Sequence, residues 1–186
     1  MTDQESLETP EIRPKGNWAT RLPVVVGLVL LALLAYGFLS SREDRRPQRG
    51  ELAPDFSLTL LDGSEVTLAG LRGQIVVLNF WASWCSPCRR EAPVLQRVWE
   101  TYKDQGVVFV GLTYHDAEGA SLAFIQEYGI TYANGVDEMG RISRDYGVTA
   151  VPETFIIDRE GKIAWFQIGE VREETLVQQL ERLQDG

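Results

Sequence analysis

Cysteine, histidine and methionine are scarce in this 186-residue chain, which has two cysteines, one histidine and two methionines. Two cysteines cannot make a disulfide framework. Even with the single His115 they fall short of the roughly four ligands that a structural zinc site requires, so no metal and no cofactor is expected. Basic residues are also in deficit, with 18 Lys and Arg against 27 Asp and Glu and a formal net charge of -9. Residues 51–186 alone carry 11 basic and 21 acidic side chains, a net of -10. Such a domain has no basic face with which to neutralise phosphates, which excludes nucleic acid as a partner. The chain also lacks internal repeats and low-complexity tracts. What remains is the composition of a globular protein, 44% hydrophobic and 24% charged, long enough for one core and an appendage.

Charge is missing altogether from residues 22–39 (LPVVVGLVLLALLAYGFL). As a helix this run would reach about 27 Å, close to the hydrocarbon thickness of a bilayer. A buried core helix and a cleavable signal peptide are the competing explanations. The apolar region of a signal peptide is shorter, about 7 to 15 residues. Arg21 and Arg42 flank the run, a polar segment precedes it and no small-x-small cleavage site follows it, so the expectation is an uncleaved single-pass anchor. Arginines and lysines lie on both sides (Arg13, Lys15 and Arg21 before; Arg42, Arg45, Arg46 and Arg49 after), so charge does not set the orientation. The expected organisation is a polar tail at 1–21, a transmembrane span at 22–39, a linker at 40–50 and a folded domain at 51–186. The tail and linker read as disordered from their polar, Pro-containing composition.

Within the domain, residues 56–60 and 65–67 flank Asp62-Gly63 and predict a hairpin. Residues 75–81 (IVVLNFW) and 107–112 (VVFVGL) read as buried strands. Between them Val94, Leu95, Val98 and Tyr102 recur at helical spacing, which predicts a parallel βαβ unit. A helix at 117–128 ending at Gly129, a short helical piece at 140–146, a second hairpin of strands 154–158 and 163–168, and a final helix at 173–183 complete the pattern.

Both cysteines sit where the first buried strand gives way to its helix, in Trp84-Cys85-Ser86-Pro87-Cys88. Residues three apart on a first helical turn satisfy the Cα separation of less than about 7 Å that a disulfide needs, so the pair can open and close. Cys85 would stand at the helix N-terminus, where unpaired N–H groups and the macrodipole stabilise a thiolate. Cys88, one turn further in, suits the resolving role. Pro87 gives up an N–H that has no helical partner there. A static disulfide closing so short a loop would constrain little of the unfolded chain.

Asn79-Phe80-Trp81-Ala82-Ser83-Trp84-Cys85-Ser86-Pro87-Cys88, together with Val151-Pro152-Glu153-Thr154-Phe155, resembles the TlpA/ResA/CcmG (DsbE-like) branch of thioredoxin-like thiol-disulfide oxidoreductases. Ala53-Pro54-Asp55-Phe56 is similar to that branch and to peroxiredoxins. The likeness covers residues 51–186. It implies an α/β thioredoxin-like fold, with a central mixed sheet flanked by helices, an N-terminal hairpin extension and here one N-terminal transmembrane helix. It also implies that Pro152 is a cis-proline facing the cysteines, although a trans strand-starter fits the bare sequence. The chain departs from ordinary thioredoxin in one respect: the buried acid six residues before the first cysteine is Asn79. Another group must then assist deprotonation of Cys88. The resemblance points to Asp116, which also reads as a helix N-cap, or to Glu153 beside the proline. His115 reads as a solvent-facing loop residue. Trp81 and Trp84 read as packing around the active-site turn, with core packing an equal explanation for Trp81.

The functional expectation is a membrane-anchored, extracytoplasmic protein-disulfide reductase. It would act on apocytochrome c or similar protein disulfides in cytochrome c biogenesis and be recharged by a CcdA/DsbD-like membrane thiol-electron transporter. The alternatives are a peroxiredoxin-like peroxidase, a general thiol-disulfide exchange protein and a non-catalytic binding module. Peroxiredoxins place Thr or Ser three residues before the reactive cysteine, where this chain has Ala82.

Overall fold

The computed structural model describes residues 18–40 and 46–185. Two compact units divide the chain, residues 1–42 and 43–186. In the first, Trp18–Ser40 forms helix α1, which contains Pro23 and whose side chains from Val26 to Tyr36 are exposed. Several side chains of the expected 22–39 span lie outside the described residues, as do 1–17 of the expected tail and 41–45 of the expected linker. Among the described residues no helix is long and apolar enough to cross a membrane.

The second unit is built on a five-stranded mixed sheet. Its strands, after the small antiparallel hairpin of β1 (Ser57–Thr59) and β2 (Glu65–Thr67), are β3 (Ile75–Trp81), β4 (Val107–Thr113), β5 (Ala133–Val136), β6 (Glu153–Ile157) and β7 (Ile163–Ile168), in the spatial order β5-β4-β3-β6-β7. β3, β4 and β5 run parallel, and β6 and β7 are antiparallel. Every residue of β3 is buried, as its unbroken apolar run requires of a central strand covered on both faces. The helices are α2 (Ser86–Tyr102), α3 (Glu118–Tyr128), α4 (Arg141–Asp145) and α5 (Glu173–Gln184). Alternation along β3 and β6 separates two cores. Ile75, Val77, Trp81 and Ile156 pack with α2, α3 and α5; Val76, Leu78, Phe80, Phe155 and Ile157 pack with the hairpin and α4.

The expected elements form within a residue or two of their predicted limits, and the one strand without a sequence signal is β5. Its Ala-Asn-Gly-Val has no apolar alternation, and the small residue is needed there. A Cβ on Gly135 would lie 2.5 Å from the Thr59 carbonyl oxygen, where the hairpin bridges to the sheet through Leu60 and Gly135. The expected linker is partly structured as well. Gly50 N–H donates to Ile163 O at 2.8 Å and Ile163 N–H donates to Glu51 O at 2.9 Å, so the chain from Arg46 onward lies on the domain.

Candidate active site

β3 delivers the chain to Ala82 and Ser83, and α2 begins immediately after Cys85, which is its N-cap with extended backbone. Cys85 and Cys88 are disulfide-bonded, with Cα atoms 5.3 Å apart. Cys88 N–H donates to Cys85 Sγ at 3.1 Å, so a thiolate at Cys85 would be met by an amide and by the helix N-terminus. Both sulfur residues are nearly buried, Cys85 4% and Cys88 2% exposed. Across from them the Val151–Pro152 peptide is cis, and the Val151 carbonyl oxygen lies 3.5 Å from Cys85 Sγ. Cys85, Cys88 and Pro152 are therefore brought together. Pro152's own carbonyl is occupied by Gly169 N–H at 2.8 Å.

The two acids singled out in the sequence sit elsewhere. Asp116 turns toward the loop before the cysteines, accepting from Ser83 N–H at 2.7 Å and Ser83 Oγ at 2.9 Å, and also from Ala117 N–H and Ser121 Oγ. With four donors its carboxylate clamps Ser83 to the start of α3. Helix α3 itself begins at Glu118 with Ala117 as N-cap, so the N-cap expectation for Asp116 is off by one residue. Glu153 is fully buried and stands opposite Phe80 in the sheet register. It shares the face of Phe80 and Phe155, opposite to that of α2 and Cys88, and its carboxylate pairs with Arg46. Trp81 belongs to the core: its Nε1 donates to Asn134 Oδ1 at 2.9 Å over Gly111, where a Cβ would collide with that oxygen. Trp84 is exposed and donates to the His115 carbonyl at 3.3 Å. His115 is itself exposed.

A third acid escaped the sequence reading. Glu91 lies on the buried stripe of α2 formed by Cys88, Ala92, Leu95, Val98 and Tyr102, and is only 1% exposed. Asn79 Nδ2 donates to its Oε1 at 3.0 Å and also to Thr154 Oγ1 at 3.0 Å, while Val171 N–H donates to Glu91 Oε2 at 3.0 Å. Burial dominates these bonds and pushes the Glu91 carboxyl up to about 7. The position left empty of acid by Asn79 is thus supplied from the neighbouring helix, with the amide as its hydrogen-bond donor. Glu91 follows Cys88 by three residues, the spacing of neighbours on one helix face. A glutamate inside an otherwise apolar stripe was the available signal.

These features coincide with what the chain is similar to. Residues 49–166 match the model of the AhpC/TSA family. Thiol-disulfide oxidoreductase ResA of Bacillus thuringiensis (strain Al Hakam) is 33% identical over 164 residues, spanning 86% of this chain and 94% of that protein. The chain belongs to the AhpC/TSA family, among its ResA-like thiol-disulfide oxidoreductases. Thioredoxin-like protein YneN of Bacillus subtilis (strain 168) is 34% identical over 84% of this chain and 96% of its own length. A crystal structure assigned as a thiol:disulfide interchange protein DsbE from Chlorobium tepidum superposes with a TM-score of 0.70 at 33% identity, covering 74% of this chain and 99% of that one. For a ResA-like oxidoreductase the dithiol of Cys85 and Cys88 is the redox couple, and the thioredoxin-like fold places it at the carboxyl end of the central strand.

Proposed function

We propose that the protein is a membrane-anchored, extracytoplasmic reductase that passes two electrons from the Cys85–Cys88 dithiol to oxidised protein thiols, with apocytochrome c as the substrate class. The thiolate of Cys85 attacks the substrate disulfide and releases one substrate thiol. Cys88 then attacks Cys85 Sγ, forming the internal disulfide and releasing the second. Glu91 takes the proton from Cys88 in that step and returns it when the disulfide is reduced again by a CcdA/DsbD-like membrane thiol-electron transporter. Asp116 holds Ser83 and with it the approach to Cys85, and Val151, just before cis-Pro152, offers the backbone edge beside which substrate lies. The observation that carries this reading is the conjunction of a disulfide at the amino end of α2 with a buried carboxyl one turn beyond it, held by neutral donors and raised to about 7. A carboxyl with that affinity exchanges protons at neutral pH.

The anchor rests on the sequence, where residues 22–39 form a charge-free run that would reach about 27 Å as a helix. The outward orientation rests on where protein disulfides form. The experiment is Cys88→Ala in the intact cell, with recovery of proteins disulfide-linked to Cys85. Haem-attachment Cys-x-x-Cys-His proteins in the adduct support the assignment, and an adduct population without them contradicts it. A reporter fused after Gly186 that works only in the cytoplasm would overturn the orientation. A reduction potential near about -120 mV, that of a strong oxidant, would contradict reductase function. The peroxidase alternative that the family name raises has a buried Ala82 in place of the hydroxyl residue, and peroxide reduction at Cys85 is expected to be negligible.

A further inference from the structure

Arg46 opens the described part of the second unit, and its side chain is held on three sides. One guanidinium nitrogen pairs with Glu153 Oε2, and Nη2 donates to the Gly147 carbonyl at 2.8 Å. The guanidinium carbon lies 5.7 Å from the Phe155 ring centroid and 5.5 Å from that of Phe166, two rings that stack on each other. Gly147 makes room for this approach: a Cβ there would lie 2.7 Å from Arg46 Cα. The other oxygen of Glu153 accepts from Thr149 N–H at 3.1 Å and Ala150 N–H at 3.4 Å. One carboxylate therefore joins Arg46 to the loop that ends in Val151 and cis-Pro152, and the Val151 carbonyl lies 3.5 Å from Cys85 Sγ.

We propose that Arg46 is a positioning residue for thiol-disulfide exchange: through Glu153 it fixes the Thr149, Ala150, Val151 and Pro152 backbone opposite Cys85, so that a polypeptide substrate meets a preset edge. The inference rests on Cys85 as the attacking sulfur and goes beyond it by giving a residue from the expected linker a part in substrate alignment. Glu153 then acts on the opposite face of the sheet from Cys88 and serves the loop. A small disulfide, which needs no backbone edge, should be indifferent to Arg46; a peptide disulfide should not.

The test compares reduced wild type, Arg46→Gln, Arg46→Lys, Glu153→Gln and the Arg46→Gln/Glu153→Gln double variant. Each is tested with a disulfide-containing peptide and with 5,5'-dithiobis(2-nitrobenzoate), below the melting temperature of every variant. Misplacement of the edge should slow the peptide reaction of Arg46→Gln by about ten- to a hundredfold and leave the small disulfide within about twofold of wild type. Arg46→Lys should recover part of the loss, and the double variant should be no slower than Glu153→Gln, because both changes break one link. The double variant, with no buried charge left unpaired, keeps the test open if Arg46→Gln does not fold: its peptide reaction must be slowed selectively. Equal peptide rates in folded wild type and variants, equal slowing of both disulfides, or additive effects of the two substitutions would overturn the proposal. Failure of wild type to react with either disulfide would instead contradict the exchange chemistry at Cys85.

Discussion

Glu91 and Glu153 are the same residue, buried to the same degree, on opposite faces of one sheet, and their surroundings give them opposite uses. Among the described residues Glu91 accepts hydrogen bonds only from neutral donors, the Asn79 amide and the Val171 N–H, and burial raises its carboxyl to about 7. Glu153 is met by the Arg46 cation and by two loop amides. A buried carboxyl is thus used according to its partners: beside neutral donors alone it serves as a proton store, and beside a cation and loop amides it serves to fasten chain segments together. The cysteine that needs a proton acceptor, Cys88, shares its face with Glu91, and the loop that needs fixing contacts Glu153.

The contrast is most sharply tested by taking the cation away. Arg46→Met should lower the free energy of unfolding by about 3–5 kcal/mol, read by denaturant titration, because it leaves Glu153 buried and uncompensated. A negligible loss would mean that Glu153 does not depend on Arg46, and the two acids would then be alike. The next effect is the pH dependence carried by Glu91. Its carboxyl is raised in the folded protein from the ordinary 4.5 to about 7, so its stabilising contribution is full below about 4.5 and is lost as pH rises through about 7. The loss amounts to about 3 kcal/mol. Glu91→Gln should remove it, flattening stability between those limits, and an unchanged slope would show that the carboxyl is not raised.

Two acids outside the buried pair give smaller effects. Asp116 is half-buried and accepts four hydrogen bonds, so Asp116→Ala should cost about 1–3 kcal/mol and loosen Ser83, read as a slower reaction of Cys85 with protein disulfides. Glu100 is exposed and pairs with Lys103 one helical turn away. Glu100→Gln should leave the denaturation midpoint in place, separating the effect of a cation partner from that of burial.

Much of this was legible in the sequence. The unbroken run of β3 and the periodic stripe of α2 announce the βαβ unit, and Cys85 and Cys88 at their junction announce the chemistry. The edge strand β5 was not legible, because its four residues were chosen for close approach to the hairpin rather than for apolar burial. Glu91 was hidden by its type, since a helical glutamate ordinarily faces water. Glu153 was noticed for its neighbour Pro152, but the face it occupies follows from register with Phe80, which only the paired strands reveal. Arg46 read as one more charge of a linker, since its partners, Gly147 and Glu153, lie about a hundred residues away in the chain.

The most direct measurement is the pH dependence of the rate at which Cys88 resolves a preformed mixed disulfide on Cys85, in wild type and in Glu91→Gln. The wild-type rate should rise with pH along a transition near 7, the affinity to which burial raises Glu91, and this transition should vanish in the variant. Superimposable profiles in the two proteins would contradict it.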